Sequence, residues 1–363
     1  MSKQKVAVIG ASGVVGRALM ERFRDEDVEA VALSRRPPAD LEGIEFHSLD
    51  LLNRDACKQC ASSLLAGTTH LVYAALYEKP GLIAGWRDQD QMQTNLTMLR
   101  NLLDPLKRSS NLSHVTLLQG TKAYGAHVEP MKIPGIESEP RHPHENFYWL
   151  QEDALTDYGK ETGWTHTIWR PQVIFGHALH APMNMLAAVG TYAALQKEAG
   201  LPFTYPGGPS AISEAIDADL LAAAIHFSFD QQAFRNQTFN ITNGDAFRWQ
   251  DSWSALADVF DMEIGEPKRQ FLSESFYERE EDWRQIVKKH NLKPYALREV
   301  VGDSYYYADA MFNAYGTSKP PPALLSTIKL RQAGFHECID TTAMFRKWFA
   351  KLGQLKVLPV FRH

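Results

Sequence analysis

Three glycines spaced three apart, Gly10, Gly13 and Gly16, make the part of this sequence best suited to holding an anion. They follow the apolar run Val6-Ala7-Val8-Ile9 and precede Leu19, Met20 and Phe23 at helical spacing. This pattern reads as a buried strand, a tight turn and a helix. Gly10 permits the sharp turn, Gly13 lets the backbone approach a diphosphate, and Gly16 lets the helix pack closely on the sheet. The helix start offers unpaired N–H groups and the positive end of its dipole. Ser12, Val14 and Val15 complete the candidate cradle. An ordinary glycine-rich turn would use the same letters. The place of this one, between an apolar strand and an apolar-faced helix, is what a dinucleotide motif requires.

About twenty residues on, a second strand, Val28 to Ser34, ends in Ser34-Arg35-Arg36. NAD-specific proteins commonly carry an acidic residue there for the ribose 2′-hydroxyl. Two guanidiniums instead suit a 2′-phosphate by charge and by bidentate geometry, so NADPH is the expected cofactor. Two solvated loop arginines are the plainer alternative. Asp50-Leu51, after a third strand at Ile44–Leu49, stands where an adenine would rest; Asp50 alternatively caps the next helix. A fourth strand, His70 onward, ends in the small residues Ala74-Ala75, beside which a ribose or nicotinamide can pass. Pro171, Val173 and Ile174, after the sixth strand, complete the cofactor candidates.

The elements that position these residues alternate. Strands at Val6, Val28, Ile44, His70, His114 and Trp164 are separated by helical stretches, including Asp88 to Leu106. That order predicts an α/β fold: a doubly wound, mostly parallel sheet of the NAD(P)-binding Rossmann type, covered on both faces. Past Gly176 the alternation breaks down. His180 to Lys197 reads as helix, Asp217 to Phe229 as another, Gln237 to Thr242 as a short strand, and the rest as several helices. The expected division is a cofactor domain over residues 1–176 and a mainly helical substrate region over residues 177–363, interleaved with it.

The 363 residues carry 38 basic and 43 acidic side chains, a net charge of -5, with no basic stripe of the kind nucleic-acid binding needs. No apolar run approaches the roughly 18–20 residues of a membrane span. The start, Met1-Ser2-Lys3-Gln4-Lys5, leads straight into the first strand, so no signal peptide and a cytoplasmic location are expected. Cys57 and Cys60 form a CxxC pair without a second pair, which suits two neighbours on one face of a helix in a reduced protein; a redox pair is the alternative. His127, His142 and His144 lie in a Pro- and His-rich loop without HExxH spacing, so no metal is expected.

Ligands in doubly wound sheets bind at the carboxyl ends of the strands. The residues after the fifth strand, Gly120-Thr121-Lys122-Ala123-Tyr124-Gly125, therefore matter, as does Asn146-Phe147-Tyr148-Trp149-Leu150-Gln151-Glu152-Asp153, a loop entering a helix. The glycine turn, Lys122, the Asn-Phe-Tyr-x-x-x-Glu-Asp run and Arg170-Pro-x-x-Ile-Phe-Gly together resemble the progesterone 5β-reductase/iridoid synthase-like enone reductases of the short-chain dehydrogenase/reductase superfamily. The likeness continues through Asp217-Ala-Asp-Leu and Phe239-Asn-Ile-Thr-Asn-Gly-Asp and thins out beyond Val259.

The superfamily usually pairs a catalytic Tyr with a Lys four residues on; here that position holds Glu152. The resembled family takes its lysine from the loop after the fifth strand, where Lys122 stands, and its tyrosine corresponds to Tyr148. Many plant members have Tyr-Tyr where this chain has Tyr148-Trp149, so the role falls to Tyr148. The resemblance implies that NADPH adds hydride to the β-carbon of a small apolar enone. Tyr148 would bind the enolate oxygen, and Lys122 would sit by the nicotinamide ribose and make Tyr148 more acidic. Tyr124 is a possible helper. Phe147, Trp149, Met183, Met185, Phe203 and Tyr205 either line an apolar pocket or belong to the core. A nucleotide-sugar epimerase/dehydratase and a non-catalytic NADPH sensor are the competing readings; Glu152 and the Arg35-Arg36 pair weigh against the first. Monomer and homodimer both stay open.

Overall fold

The computed structural model describes residues 4–109 and 111–360. Met1-Ser2-Lys3, expected to lead into the first strand, lie outside the described residues. Strands β1 (Lys5–Ile9), β2 (Glu29–Ser34), β3 (Glu45–Ser48), β4 (His70–Tyr73), β5 (His114–Leu118) and β6 (Thr165–Pro171) alternate with helices α1 (Val14–Asp25), α2 (Arg54–Ser62), α3 (Gln89–Ser109) and α4 (Phe147–Thr162). Then follow β7 (Val173–Phe175), α5 (Met185–Glu198), β8 (Phe203–Thr204), β9 (Ala215–Asp217), α6 (Ala218–Ser228) and β10 (Gln237–Ile241). The remainder is α7 (Trp249–Phe260), β11 (Ile264–Gly265), α8 (Leu272–Ser275), α9 (Glu280–Lys289), α10 (Leu297–Val301), α11 (Ser304–Met311), α12 (Ile328–Gln332) and α13 (Thr341–Gln354).

The central sheet has seven strands in the order β10-β6-β5-β4-β1-β2-β3. Every pairing is parallel; Val6, for example, sits opposite Ala30 on one side and His70 on the other. Successive strand residues point to opposite faces, and the core divides accordingly. Val6 and Val8 join α1, α5 and α6 in one apolar cluster, while Ala7 and Ile9 join α2, α3 and α4 in the other. A sheet buried on both faces needs continuous apolar strands, which is why Val6–Ile9 of β1 and Leu71–Tyr73 of β4 are unbroken hydrophobic runs.

The seventh strand, β10, comes from residues 237–241 and extends the sheet beyond β6, with Phe239 opposite Trp169. The chain beyond Gly176 thus returns to complete the sheet. The helix expected from His180 begins only at Met185: Asn184 caps it by accepting from the N–H groups of Leu186 and Ala187. Before it, Pro182 has no N–H to donate, and the chain from 178 to 184 runs as a loop along the sheet's carboxyl edge. Asp217 caps α6 through the Asp219 N–H. No helix among the described residues is long and apolar enough to cross a membrane.

Candidate active site

A cavity of about 390 Å³ opens at the carboxyl ends of β1, β2, β4, β5 and β6. Its floor is the glycine turn. Gly10 has φ +86°, and its N–H donates to Leu33 O at 2.8 Å. A Cβ at Gly10 would stand 2.7 Å from the Ala74 carbonyl, and one at Gly16 2.4 Å from Gly10 O, so neither position accepts a side chain. Gly13 begins α1 without a side-chain cap, and no acidic residue stands in the first turn. Among the described residues no side chain caps this helix start, which leaves the N–H groups of its first turn open to an anion. Ser12, Val14 and Val15 line the same wall.

Ser34 Oγ donates to Arg36 O at 2.5 Å, and Ser48 Oγ to Arg35 O at 3.3 Å. These bonds hold the backbone of the turn by its carbonyls. Both guanidiniums remain exposed, with no ion pair among the described residues, and both residues border the cavity. Asp50 and Leu51 lie beside them. Asp50 does not cap α2; that bond comes from Asn53 to the Ala56 N–H, while Asp50 closes a local turn on Leu52 N. Ala74, Ala75, Pro171, Val173 and Ile174 all reach the same cavity. The exposed amides, the open backbone at Gly13 and the two free cations suit a phosphorylated dinucleotide.

Lys122 and Tyr148 come from different elements and line the one cavity. Asn146 links them. Its side chain caps α4 by accepting from Tyr148 N at 3.1 Å and donates to Lys122 O at 3.2 Å. The Asn-Phe-Tyr run thus carries its own helix start and its tether to the Lys122 loop. The Lys122 ammonium lies 3.4 Å from Glu78 Oε1 and 3.9 Å from the centre of the Trp86 ring. Burial pulls the Lys122 pKa below its usual value, against the attraction of Glu78. Burial likewise raises Glu78, whose other oxygen accepts from Gln91 at 2.6 Å.

The Tyr148 hydroxyl has no hydrogen-bond partner among the described residues and lies 3.5 Å from where a Gly120 Cβ would stand. Burial, reinforced by Glu78 and Tyr307, pushes its pKa well above that of a free phenol. The expectation of a more acidic Tyr148 is thereby reversed. Lys122 is engaged with Glu78, and the desolvated phenol keeps its proton.

Glu152 sits one helical turn after Tyr148. Its carboxylate accepts from Gln119 at 3.0 Å, Arg170 at 3.0 Å and Arg141 at 2.9 Å. The place of a superfamily lysine is filled by a paired anion. Tyr124 is turned away, donating to Asn240 Oδ1 at 2.6 Å. Of the six apolar candidates, Phe147 and Met183 line the cavity. Trp149 donates to His144 O, Phe203 stacks on Trp253, Tyr205 donates to Phe312 O, and Met185 is fully buried in the core.

Cys57 and Cys60 are free on one face of α2, and burial raises both thiols to about 11, outside the range of a reactive thiolate. His142 contacts His144 and Glu129, and the ring of His144 packs on that of His127. Among the described residues no group of three or more His, Cys, Asp or Glu has the geometry to hold a metal ion. Glu78, Trp86 and Tyr307 escaped sequence reasoning. None of them lies in a motif, and only the fold brings them to Lys122 and Tyr148.

Residues 6–242 match the family described as NAD dependent epimerase/dehydratase. The (S)-8-oxocitronellyl enol synthase of Antirrhinum majus is 30% identical, over 98% of this chain and 93% of its own length. The enzyme of the same name from Catharanthus roseus is 32% identical, over 85% of this chain and 82% of its own. The 3-oxo-Delta(4,5)-steroid 5-beta-reductase of Arabidopsis thaliana is 29% identical, over 97% and 92%. Among solved structures, UDP-glucose 4-epimerase of Thermotoga maritima superposes with a TM-score of 0.67 at 14% identity, covering 96% of this chain and 99% of that one. At that identity the likeness is one of fold.

Proposed function

Because the chain belongs to the NAD dependent epimerase/dehydratase family, beside plant enol synthases and a steroid 5β-reductase, we propose that it is an NADPH-dependent reductase of α,β-unsaturated carbonyl compounds. The observation that carries this reading is the pair of side chains, Tyr148 and Lys122, in the cavity that begins at the glycine turn. A bound nicotinamide dinucleotide would supply a hydride there. The turn at Gly10–Gly16 and the first-turn amides of α1 would hold its diphosphate, and Arg35 and Arg36 a 2′-phosphate.

Adding hydride to the β-carbon places negative charge on the carbonyl oxygen. A protonated phenol aimed at that oxygen stabilises the charge as it forms, an effect worth roughly 3–4 kcal/mol per donor. The raised pKa of Tyr148 suits that work, since the group donates a hydrogen bond while retaining its proton. Lys122, beside Glu78, would orient the ribose. Phe147 and Met183 supply an apolar wall. The epimerase reading asks for a lysine where Glu152 is held by Arg170 and Arg141. A pure NADPH sensor has no use for a free phenol beside the nicotinamide end.

The test is NADPH oxidation with 2-cyclohexenone, repeated with NADH. Turnover with a clear preference for NADPH is expected. Tyr148→Phe should lower kcat by roughly 10²–10³-fold while leaving NADPH affinity nearly unchanged. Undiminished turnover in that variant would remove Tyr148 from the reaction.

A further inference from the structure

The loop entering α4 carries histidines for which the reaction has no use, and their hydrogen bonds form a relay from the surface to Asn146. At its inner end, Asn146 Oδ1 accepts from Tyr148 N, which fixes the orientation of the amide. The amide nitrogen donates to Lys122 O at 3.2 Å and lies 3.1 Å from His144 Nε2. An amide nitrogen only donates, so His144 Nε2 carries no proton and its Nδ1 does. His144 Nδ1 lies 2.8 Å from His142 Nδ1, which must then accept. The His142 proton is left on Nε2, 2.9 Å from the Glu129 carboxylate. Each contact of the relay then holds one hydrogen, and both rings are neutral.

The fold seats these rings. A Cβ at Gly125, whose φ is +74°, would stand 2.7 Å from the His142 ring, so that ring rests on the turn following Lys122. Trp149 Nε1 donates to His144 O at 3.1 Å. Glu129, itself exposed, is the anion that faces the pair. Glu145 is turned to Gln89, and Arg141 to Glu152 and Asp153. The His144 ring packs on His127, whose carbonyl accepts from Arg87 and on which the Lys122 ammonium also acts. Burial lowers the pKa of His144, and His142 and Arg87 add to this, against the carbonyls of Lys122 and His142.

We propose that His142 and His144 are positioning residues that make the join between Lys122 and Tyr148 depend on pH: when the pair gains a proton, the Asn146 amide loses its place. A proton arriving on His142 Nδ1 meets the one on His144 Nδ1. Moving the latter to Nε2 sets it against the Asn146 amide nitrogen. With the His142 ring held between Glu129 and the Gly125 turn, relief comes from turning the amide over. That takes its oxygen from Tyr148 N and its nitrogen from Lys122 O. The join is complete above the range in which histidine gains a proton and is lost as pH falls through it. The kinetic consequence rests on the enone-reductase reading; the protonation pattern of the rings does not.

That pattern is read first, without substrate, from the ring-carbon and ring-nitrogen NMR shifts of histidine-labelled protein. His142→Gln and His144→Gln assign the two residues. Well above the histidine range, Nδ1–H on His144 and Nε2–H on His142 are expected; Nε2–H on His144 would overturn the proposal. NADPH oxidation with 2-cyclohexenone is then followed as pH falls through that range. In wild type kcat/KM should drop roughly two- to tenfold, the loss for one hydrogen bond. Glu129→Gln removes an exposed anion that favours a charged His142, so the acid limb should move to lower pH by on the order of a few tenths of a unit. Asn146→Ala should begin low and show no acid limb, because the bonds that protonation breaks are already gone. A limb at the same pH in wild type and Glu129→Gln, or one of full depth in Asn146→Ala, would overturn the proposal. If no enone is reduced, the reduction reading falls, and the ring shifts still decide whether the relay exists.

Discussion

Lys122 is a charged group where charge is costly. Burial lowers its pKa, and the Glu78 carboxylate 3.4 Å away works in the opposite direction. A lysine is charged below its pKa, so whatever lowers that value brings its neutral form to lower pH. Glu78→Gln removes the attraction and keeps the burial. The alkaline limb of NADPH binding, followed by cofactor fluorescence, should therefore move to lower pH in this variant. Superimposable limbs would mean that the Lys122 charge plays no part in holding the cofactor. Tyr148 behaves oppositely. Its pKa is pushed up, so loss of the phenol proton should limit kcat only above the ordinary range of a phenol, near pKa ~10.

At the scale of elements, the link between loop and helix is Asn146. One side chain caps α4 and grips the carbonyl of Lys122. Asn146→Ala should cost about 1 kcal/mol in stability by urea unfolding, the usual value of a lost N-cap. It should also lower kcat/KM, because the hydrogen bond that ties the Lys122 loop to the start of the Tyr148 helix is lost, leaving the apolar packing of Ala123 on Phe147, Tyr148 and Trp149 to hold the two together. A loss of stability with full activity would show that the cap matters to the helix alone. The same logic explains why α5 starts late: Asn184 offers a cap where the preceding loop offers none.

For the whole molecule, the sheet and the helical region are clamped around Asp40. Arg17, buried in α1, donates to Ala39 O at 2.9 Å and Asp40 O at 3.1 Å. The Asp40 carboxylate receives His177 at 2.8 Å, Tyr295 at 2.9 Å and Lys293. Burial works to raise its pKa, but the bonds from His177, Lys293 and Tyr295 outweigh it and hold the carboxyl well below the usual range. A depressed carboxylate contributes stability above its unfolded pKa, near ~3.9, and that contribution fades as pH falls through the folded value. Asp40→Asn should therefore cost roughly 3–5 kcal/mol at pH 7, the range for breaking a buried pair. It should also flatten the acid limb of the stability curve, both read by denaturant titration at several pH values. A cost under about 1 kcal/mol, as for an exposed pair, would contradict the clamp.

What the sequence determined by itself was local. The strand, glycine turn and helix of residues 6–23, the arginines after β2 and the Asn-Phe-Tyr helix start are each set by backbone geometry over a few residues, and they were legible as such. The alternation of elements likewise implied a parallel sheet, and the strand at Gln237–Thr242 was visible, though not its place at the sheet's edge. Tertiary structure alone decided which groups meet. Glu78 and Trp86 reach Lys122, Tyr307 reaches the cavity, and Asp40 reaches His177 and Lys293, across tens to hundreds of residues. It also separated cavity wall from core among the apolar candidates, and it turned Tyr148 into a less acidic phenol. Periodicity records which face of an element is buried. It carries no record of what that face is buried against, and the chemistry of this site depends on the neighbours.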